Sequence, residues 1–174
     1  PSAARALPPV PTSCDRIVYL RVDKSDRLLE AECANGAWFE LTAALGRRSG
    51  TKLRAGDRRT PEGRYHIVLP GRTSRFHRFI AIDYPAPHDA RRAFASGTIG
   101  ESDFQAILAA HETGAFPPQD TPLGGALGLH GEGDRWRGDS EWLDWTYGCI
   151  GLADDEIDFL ESRLGDGVPI DIEP

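Results

Sequence analysis

The sequence predicts a mainly β domain with a few short helices, of the α+β class, and three observations lead to that prediction. Segments of alternating apolar and polar residues recur along the chain, as expected for strands with one buried face. Glycine and proline are frequent, with 19 and 13 among 174 residues, which favours turns and extended segments over long helices. A chain of this length needs only one hydrophobic core, so a second domain is not expected.

The first two strands form a predicted hairpin. Residues 16–22 (RIVYLRV) alternate in polarity, and residues 27–33 (RLLEAEC) return after a polar turn. This pairing brings Cys14 and Cys33 near each other, either as a disulfide or as two free thiols at strand ends. A disulfide would imply an oxidising compartment such as the periplasm. In either case Cys149 is left over as an odd thiol.

Five further strands share short alternating or apolar patterns bounded by turn residues. They are predicted at residues 37–41, 64–69, 76–82, 127–130 and 168–172. A long loop over residues 132–144 follows the fourth of these, and loops of that length in a compact domain are usually functional or mobile.

Three helices are predicted between the later strands. The first covers residues 89–96, and the second begins with a capping box at residues 102–105 (SDFQ) and stops at Gly114. The third is capped by Asp154 and runs to about Leu164.

Residues 1–13 (PSAARALPPVPTS) form a predicted Pro/Ala-rich tether, and the folded domain is predicted at residues 14–174. No apolar run approaches the roughly 18 residues of a membrane helix, so no membrane span is predicted. We expect an exported protein of the periplasm, with a signal or anchor removed before Pro1.

The formal net charge of -7 argues against nucleic acid as a partner, because phosphate contacts draw on clustered basic residues. Arginines nevertheless gather in two groups, which indicate either a small anionic ligand or a solvated strand face. The groups are Arg54, Arg58, Arg59 and Arg64, followed by Arg72, Arg75 and Arg78.

Cys149 is the candidate nucleophile. A cysteine attacks carbonyls as the thiolate, so it needs a base and backbone amides that can receive the developing oxyanion. Gly148 permits a sharp turn before the thiol. His130, at the end of a predicted strand, is the candidate base. The Gly131 carbonyl could accept a hydrogen bond from the imidazole and so fix which ring nitrogen carries the proton. The alternatives are a small buried thiol and a structural histidine.

Metal chemistry is not indicated by the histidine spacing. The five histidines occur at positions 66, 77, 88, 111 and 130, without a His-x-x-x-His or His-Glu-x-x-His pattern. The sequence therefore predicts neither a metal ion nor an organic cofactor.

Three parts of the sequence resemble the L,D-transpeptidase catalytic domain, the YkuD type, over about residues 15–172. They are the pair His130-Gly131, residues 146–152 (TYGCIGL) and residues 56–65 (GDRRTPEGRY). The resemblance implies a β-sandwich with a catalytic cysteine loop. It also implies Cys149 as nucleophile, His130 as base and the Gly131 carbonyl as the group that orients the imidazole. The implied oxyanion donors are the amides of Tyr147, Gly148 and Cys149.

The cysteine motif departs from the family pattern at three positions. Thr146 stands for the family's serine, Tyr147 for its histidine, and Gly151 for the arginine that would help to position the substrate. Together with Trp145, the run Trp-Thr-x-Gly-Cys-Ile-x-Leu resembles a divergent branch. That branch includes enzymes that form unusual crosslinks and amidases that release a lipoprotein from peptidoglycan.

The same branch resemblance covers residues 74–77 (SRFH) and the pair Tyr84-Pro85. Arg75 is therefore expected to contact a stem carboxylate, or else to be a surface arginine on a strand. Tyr84 is expected to line the substrate site. Trp136, Trp142 and Trp145 could roof the site as a lid or pin their loop to the core.

The resemblance implies a peptidoglycan L,D-transpeptidase that forms a Cys149 acyl-enzyme on L-to-D peptide bonds of stem peptides. A hydrolytic member of the family, either an L,D-carboxypeptidase or an amidase that releases a wall-bound lipoprotein, is the first alternative. An inactive wall-binding domain is the second. The expected partners are peptidoglycan stem peptides and carbapenem-type inhibitors.

Overall fold

The computed structural model describes residues 13–134 and 138–174, so Trp136 and all of the predicted tether except Ser13 lie outside the described residues. The described chain contains eight strands and three helices, and the predicted mainly β fold is confirmed. The strands are β1 Ile17–Asp23, β2 Leu28–Cys33, β3 Trp38–Thr42, β4 Gly63–Ser74, β5 His77–Ile82, β6 Gly128–His130, β7 Ile150–Gly151 and β8 Pro169–Glu173. The helices are α1 Pro87–Ala95, α2 Glu101–Thr113 and α3 Asp154–Glu161.

All eight strands belong to one sheet, in the order β3-β2-β1-β8-β4-β5-β6-β7. The β1–β8 and β6–β7 pairs are parallel, and the other neighbours are antiparallel. The alternation seen in the sequence has its expected effect, because Leu20 and Val22 of β1 and Ile170 and Ile172 of β8 all point into the core.

The two edges of this sheet meet, so the sheet curls on itself. Ala44, just after β3, exchanges two backbone hydrogen bonds of 2.8 Å with Gly151 of β7. A second bridge joins Gly46 to Thr146. Gly46 is required here because a β-carbon at this position would lie 2.5 Å from the Arg58 carbonyl oxygen. The seam therefore closes beside Cys149.

The start of the hairpin is tied covalently. Cys14 and Cys33, each 1% exposed, are joined by a disulfide across a sequence separation of 19. Within residues 13–134 and 138–174, no helix is both long and apolar enough to cross a bilayer.

The N-terminal caps of two helices differ from their predictions. Helix α2 begins at Glu101 with Gly100 as its N-cap, so Ser102 lies within the helix and does not cap it. Helix α3 has Ala153 at its N-cap, and Asp154 is its first residue. The reason for the second difference is that the Asp154 carboxylate is engaged elsewhere, as described below.

Two strands also differ from the predicted pattern. β4 extends to Ser74, beyond the predicted end at Leu69, with a register shift between Val68 and Arg72 against β5. β7 has only two residues, too few to produce a recognisable periodicity in the sequence.

Candidate active site

Cys149 lies directly before β7, on a turn formed by Gly148. Gly148 has φ +131°, and a β-carbon there would lie 2.7 Å from the Arg59 carbonyl oxygen. Both the backbone conformation and the close approach therefore require glycine. The thiol itself is half-buried, and its Sγ lies 3.5 Å from the Ala126 carbonyl oxygen.

His130 ends β6 and is 3% exposed. Its Nδ1 lies 2.7 Å from the Gly131 carbonyl oxygen. A carbonyl oxygen only accepts, so Nδ1 donates and carries the proton, which leaves Nε2 as an acceptor. Gly131 must be glycine at this point because a β-carbon would lie 2.3 Å from Asp154 Oδ1.

The parallel pairing of β6 with β7 places Cys149, directly before β7, next to the strand that His130 ends. Leu129 lies opposite Ile150, and both side chains are buried in the core. Because successive side chains in a strand point to opposite faces, the His130 side chain projects from the face of β6 opposite Leu129. Among the described residues, Sγ makes its hydrogen bond to Ala126, and none to the imidazole.

Both groups are neutral at rest. Burial raises the pKa of Cys149 to about 11, against weaker lowering by the Gly128 backbone and by Lys52. Burial also lowers the pKa of His130 below its usual value, while the hydrogen bond with Gly131 opposes that shift and Arg75 adds to it. The pair is thus a thiol beside an uncharged base, which suits proton transfer during the attack.

Thr146 braces the turn that carries the thiol. This residue is 2% exposed, and its Oγ1 donates to the Cys149 carbonyl at 2.7 Å while accepting from the Gly148 amide at 3.1 Å. The predicted oxyanion donors therefore need a correction, because the Gly148 amide is already engaged. The amides of Tyr147 and Cys149 donate to no other described residue.

Aromatic rings hold the base in place. Phe76 stacks on His130 with ring centroids 4.7 Å apart, and Trp145 meets the imidazole edge-on at 5.3 Å. Trp145 is 3% exposed and packs on His130, so it pins its loop to the core and does not roof the site, which corrects its prediction as a substrate contact. Trp142, by contrast, is 72% exposed and is free to face a ligand.

Two of the three departures from the family motif, besides Thr146, have local structural reasons or consequences. Gly151, where the family has arginine, packs so closely on Trp145 that a β-carbon would lie 3.0 Å from its ring. Tyr147 is exposed, and the guanidinium groups of Arg47 and Arg58 each lie 5.3 Å from its ring centroid.

The predictions that Arg75 and Tyr84 contact the substrate have different outcomes. Arg75 is exposed, and its guanidinium lies 4.7 Å from the centroid of the Phe76 ring that stacks on His130, so it borders the site. Tyr84 was wrongly predicted to line the site. Its side chain is fully buried in the core, and its hydroxyl donates to the Leu123 carbonyl at 3.1 Å.

Sequence reasoning missed two carboxylates that support the loop after the base. Asp154 Oδ1 accepts from the amides of Glu132 and Gly133 at 2.9 and 3.0 Å. The buried Glu132 carboxylate accepts from the amides of Gly138 and Ser140. Asp154 had looked like a helix cap because an aspartate at a helix start gives that signal whether or not its side chain caps.

Within the described residues, no three His, Cys, Asp or Glu side chains converge as a metal site. The groups gathered around Cys149 are a thiol, an oriented neutral imidazole and backbone amides, which suit acyl transfer.

A family model for the L,D-transpeptidase catalytic domain, YkuD, matches residues 17–172. No curated protein matches the chain by sequence. Among solved structures, the chain is similar to an L,D-transpeptidase from Mycobacterium smegmatis, with 12% identity, a TM-score of 0.51, and coverage of 91% of this chain and 59% of that one.

Two further solved structures are similar to the chain at comparably low sequence identity. Bd1075 from Bdellovibrio bacteriovorus has 19% identity and a TM-score of 0.53, covering 91% of this chain and 47% of its own. L,D-transpeptidase 3 from Mycobacterium tuberculosis, in complex with a faropenem-derived adduct, has 13% identity and a TM-score of 0.51, covering 91% and 61%. The chain spans about half to three-fifths of these proteins, and likeness at such identities shows the fold alone.

Proposed function

Because the chain belongs to the L,D-transpeptidase catalytic domain family, we propose that it is a peptidoglycan L,D-transpeptidase. In this proposal Cys149 forms an acyl-enzyme at L-to-D peptide bonds of stem peptides, and the product is a crosslink between two stems. The observation that carries the proposal is that Cys149 lies directly before β7 while His130 ends the adjacent parallel strand β6, with Nε2 of the imidazole left as an acceptor.

The first step is the attack by Cys149. Nε2 of His130 takes the thiol proton as Sγ bonds to the carbonyl carbon of the scissile peptide. The amides of Tyr147 and Cys149 are the available donors for the oxyanion. The C–N bond then breaks, the leaving amine takes the proton from His130, and the donor stem remains as a thioester on Cys149.

The second step decides between crosslinking and hydrolysis. An amine of a second stem that attacks the thioester gives a crosslink and restores the thiol. Water in the same role gives the hydrolytic alternative, an L,D-carboxypeptidase or an amidase that releases a wall-bound lipoprotein. Acceptor choice depends on the shape of the pocket and the exclusion of water.

Product analysis tests this proposal. The protein and its Cys149→Ala variant are incubated with purified disaccharide-peptides, and products are identified by mass spectrometry. New dimers formed only by the parent protein support the transpeptidase, and trimmed stems or released lipoprotein support the hydrolase. Unchanged substrate with both proteins contradicts the enzymatic proposal and favours an inactive wall-binding domain.

We also propose the periplasm as the location and carbapenem-type compounds as inhibitors. The Cys14–Cys33 disulfide supports an oxidising compartment. The faropenem-derived adduct of the Mycobacterium tuberculosis protein supports acylation by β-lactam compounds, the wider class to which carbapenems belong. A β-lactam that acylates Cys149 would act as a substrate whose thioester is resolved slowly.

A further inference from the structure

An arginine-rich groove of about 880 Å³ lies beside the cysteine loop. It is built from the connection between β3 and β4 and from the end of α1, and its volume is in the range of small-ligand sites. Five arginines line it, in a chain whose formal net charge is -7. They are Arg48, Arg54, Arg58, Arg59 and Arg92.

The acidic residue in the groove is already neutralised by other groups. Asp57 accepts hydrogen bonds from the amides of Leu53, Arg54 and Arg59 and from the Lys52 ammonium, at 2.7 to 3.2 Å. Burial raises the pKa of Asp57, but these donors outweigh it and the net pKa lies below the usual range. The carboxylate therefore does not pair with the guanidinium groups around it.

Four of the five groove arginines form no ion pair with any described residue, and only Arg92 does, with Asp89 at 2.7 Å. Two other members of the arginine groups noted in the sequence, both outside the groove, form ion pairs. Arg64 pairs with Asp171 at 2.6 Å, and Arg78 pairs with Asp158 and Glu161. The groove thus gathers four arginines without an ion pair, whereas Arg72 and Arg75, which also form none with a described residue, lie outside it.

Arg59 adds a buried donor that lacks an acceptor. Its Nε is inaccessible to solvent and has no hydrogen-bond partner among the described residues. An unsatisfied buried donor is unfavourable unless a ligand supplies the acceptor. Arg59 therefore points to an anionic ligand, since a guanidinium matches the two oxygens of a carboxylate.

The groove adjoins the nucleophile. The Arg59 carbonyl lies against Gly148, the residue before Cys149, so closely that a β-carbon would be 2.7 Å away. The Arg58 guanidinium lies over the ring of Tyr147 in the same turn. The groove therefore shares its wall with the turn that carries the thiol.

We propose that this groove binds carboxylates of the stem peptide on which Cys149 acts. The groove then supplies cationic contacts for these carboxylates, whereas the residue two positions after the nucleophile is the uncharged Gly151. This assignment rests on the proposed function, because it takes a stem peptide as the substrate.

Calorimetric titration tests the assignment. The full chain carrying Cys149→Ala, which prevents turnover, is titrated with a stem peptide bearing free carboxylates and with the same peptide in which they are carboxamides. Arg54→Gln combined with Arg58→Gln should weaken binding of the free-carboxylate peptide at least about tenfold. Binding of the carboxamide peptide should stay weak and unchanged. Arg72→Gln, an exposed arginine on β4 outside the groove, is the control and should match the parent.

Three results would overturn the assignment: equal affinity for both peptides, unchanged affinity in the double variant, or no measurable binding by the parent. Tighter binding of inorganic phosphate than of the peptide would also overturn it, because the groove would then fit a phosphorylated ligand. The assay is separable from the proposed function. If peptide binding depends on the arginines but the intact protein shows no turnover, the groove assignment stands and the proposed transpeptidase activity is contradicted.

Discussion

His130 Nδ1 lies 2.7 Å from the carbonyl oxygen of Gly131, the next residue in the chain. This contact fixes which imidazole nitrogen carries the proton, because the carbonyl can only accept. The other nitrogen is then a base without any need for a carboxylate partner. The stack with Phe76 and the edge contact with Trp145 restrict the ring further.

Replacing this base should reduce acylation of Cys149 strongly. We expect His130→Gln to slow carbapenem adduct formation by about 10²- to 10⁴-fold, the usual contribution of a general base. The rate is measured by intact-protein mass spectrometry over time. His66→Gln, at an exposed histidine of β4, is the control and should react like the parent. An adduct rate in His130→Gln equal to that of the parent would rule out His130 as the base.

The resting thiol should react slowly with a neutral alkylating agent. Because the pKa of Cys149 is raised to about 11, only about one thiol in 10⁴ is ionised at pH 7. The rate of iodoacetamide alkylation should therefore rise about tenfold per pH unit from pH 7 to 9. A plateau near neutral pH would indicate a preformed thiolate and imidazolium pair instead.

Acylation should depend on pH in a different way, because it uses neutral His130. Burial lowers the pKa of His130, so the neutral form is present above the usual value of about 6.5 and persists somewhat below it. The carbapenem adduct rate should be constant between pH 7 and 9 and should fall only as the pH drops below about 6.5. A midpoint clearly above 6.5 would contradict a depressed pKa.

Gly148→Ala should destabilise the fold as well as the site. The φ of +131° and the approach of Arg59 O both oppose a β-carbon, so we expect a loss of about 1–3 kcal/mol in the free energy of unfolding. Urea unfolding measures it. Gly36→Ala is the matched control, because Gly36 also has positive φ but no atom near the new carbon. Equal costs at the two positions would show that the contact with Arg59 contributes nothing.

Reduction of the disulfide should lower stability without removing the nucleophile. Cross-linking Cys14 to Cys33 across 19 residues should contribute about 3 kcal/mol, mainly by restricting the unfolded chain. Urea unfolding with and without a phosphine reductant measures this difference, and the Cys149→Ala variant should show the same shift. If the reductant leaves the unfolding midpoint unchanged, the disulfide contributes no stability.

Much of the fold could be predicted because its signals are local. Alternation identified the long strands, and Gly114 ends α2 in a left-handed conformation as expected of a helix stop. β7 and the seam between Ala44 and Gly151 could not be found this way. A two-residue strand has no periodicity, and contact between the first and last strands of a sheet depends on the whole topology.

The candidate site was predicted where its motif is contiguous and missed where it depends on distant packing. The turn at Gly148 and the role of the Gly131 carbonyl follow from neighbouring residues. Tyr84 was misassigned because its sequence context does not distinguish an aromatic residue of the core from one that lines a site. The placement of Arg59 against Gly148 joins residues far apart in the chain, so the sequence indicated only a cluster of positive charge. The catalytic roles of Cys149 and His130 stay predictions.

The most direct test is to locate the covalent adduct on the protein. The parent, Cys149→Ala and His130→Gln proteins are treated with a carbapenem at neutral pH, and the modified peptide is identified by mass spectrometry. We predict one inhibitor per chain in the parent protein, attached to the peptide that contains Cys149. The adduct should be absent from Cys149→Ala and should form far more slowly in His130→Gln. A folded parent protein that forms no adduct, or a Cys149→Ala variant that forms it equally well, would contradict Cys149 as the nucleophile.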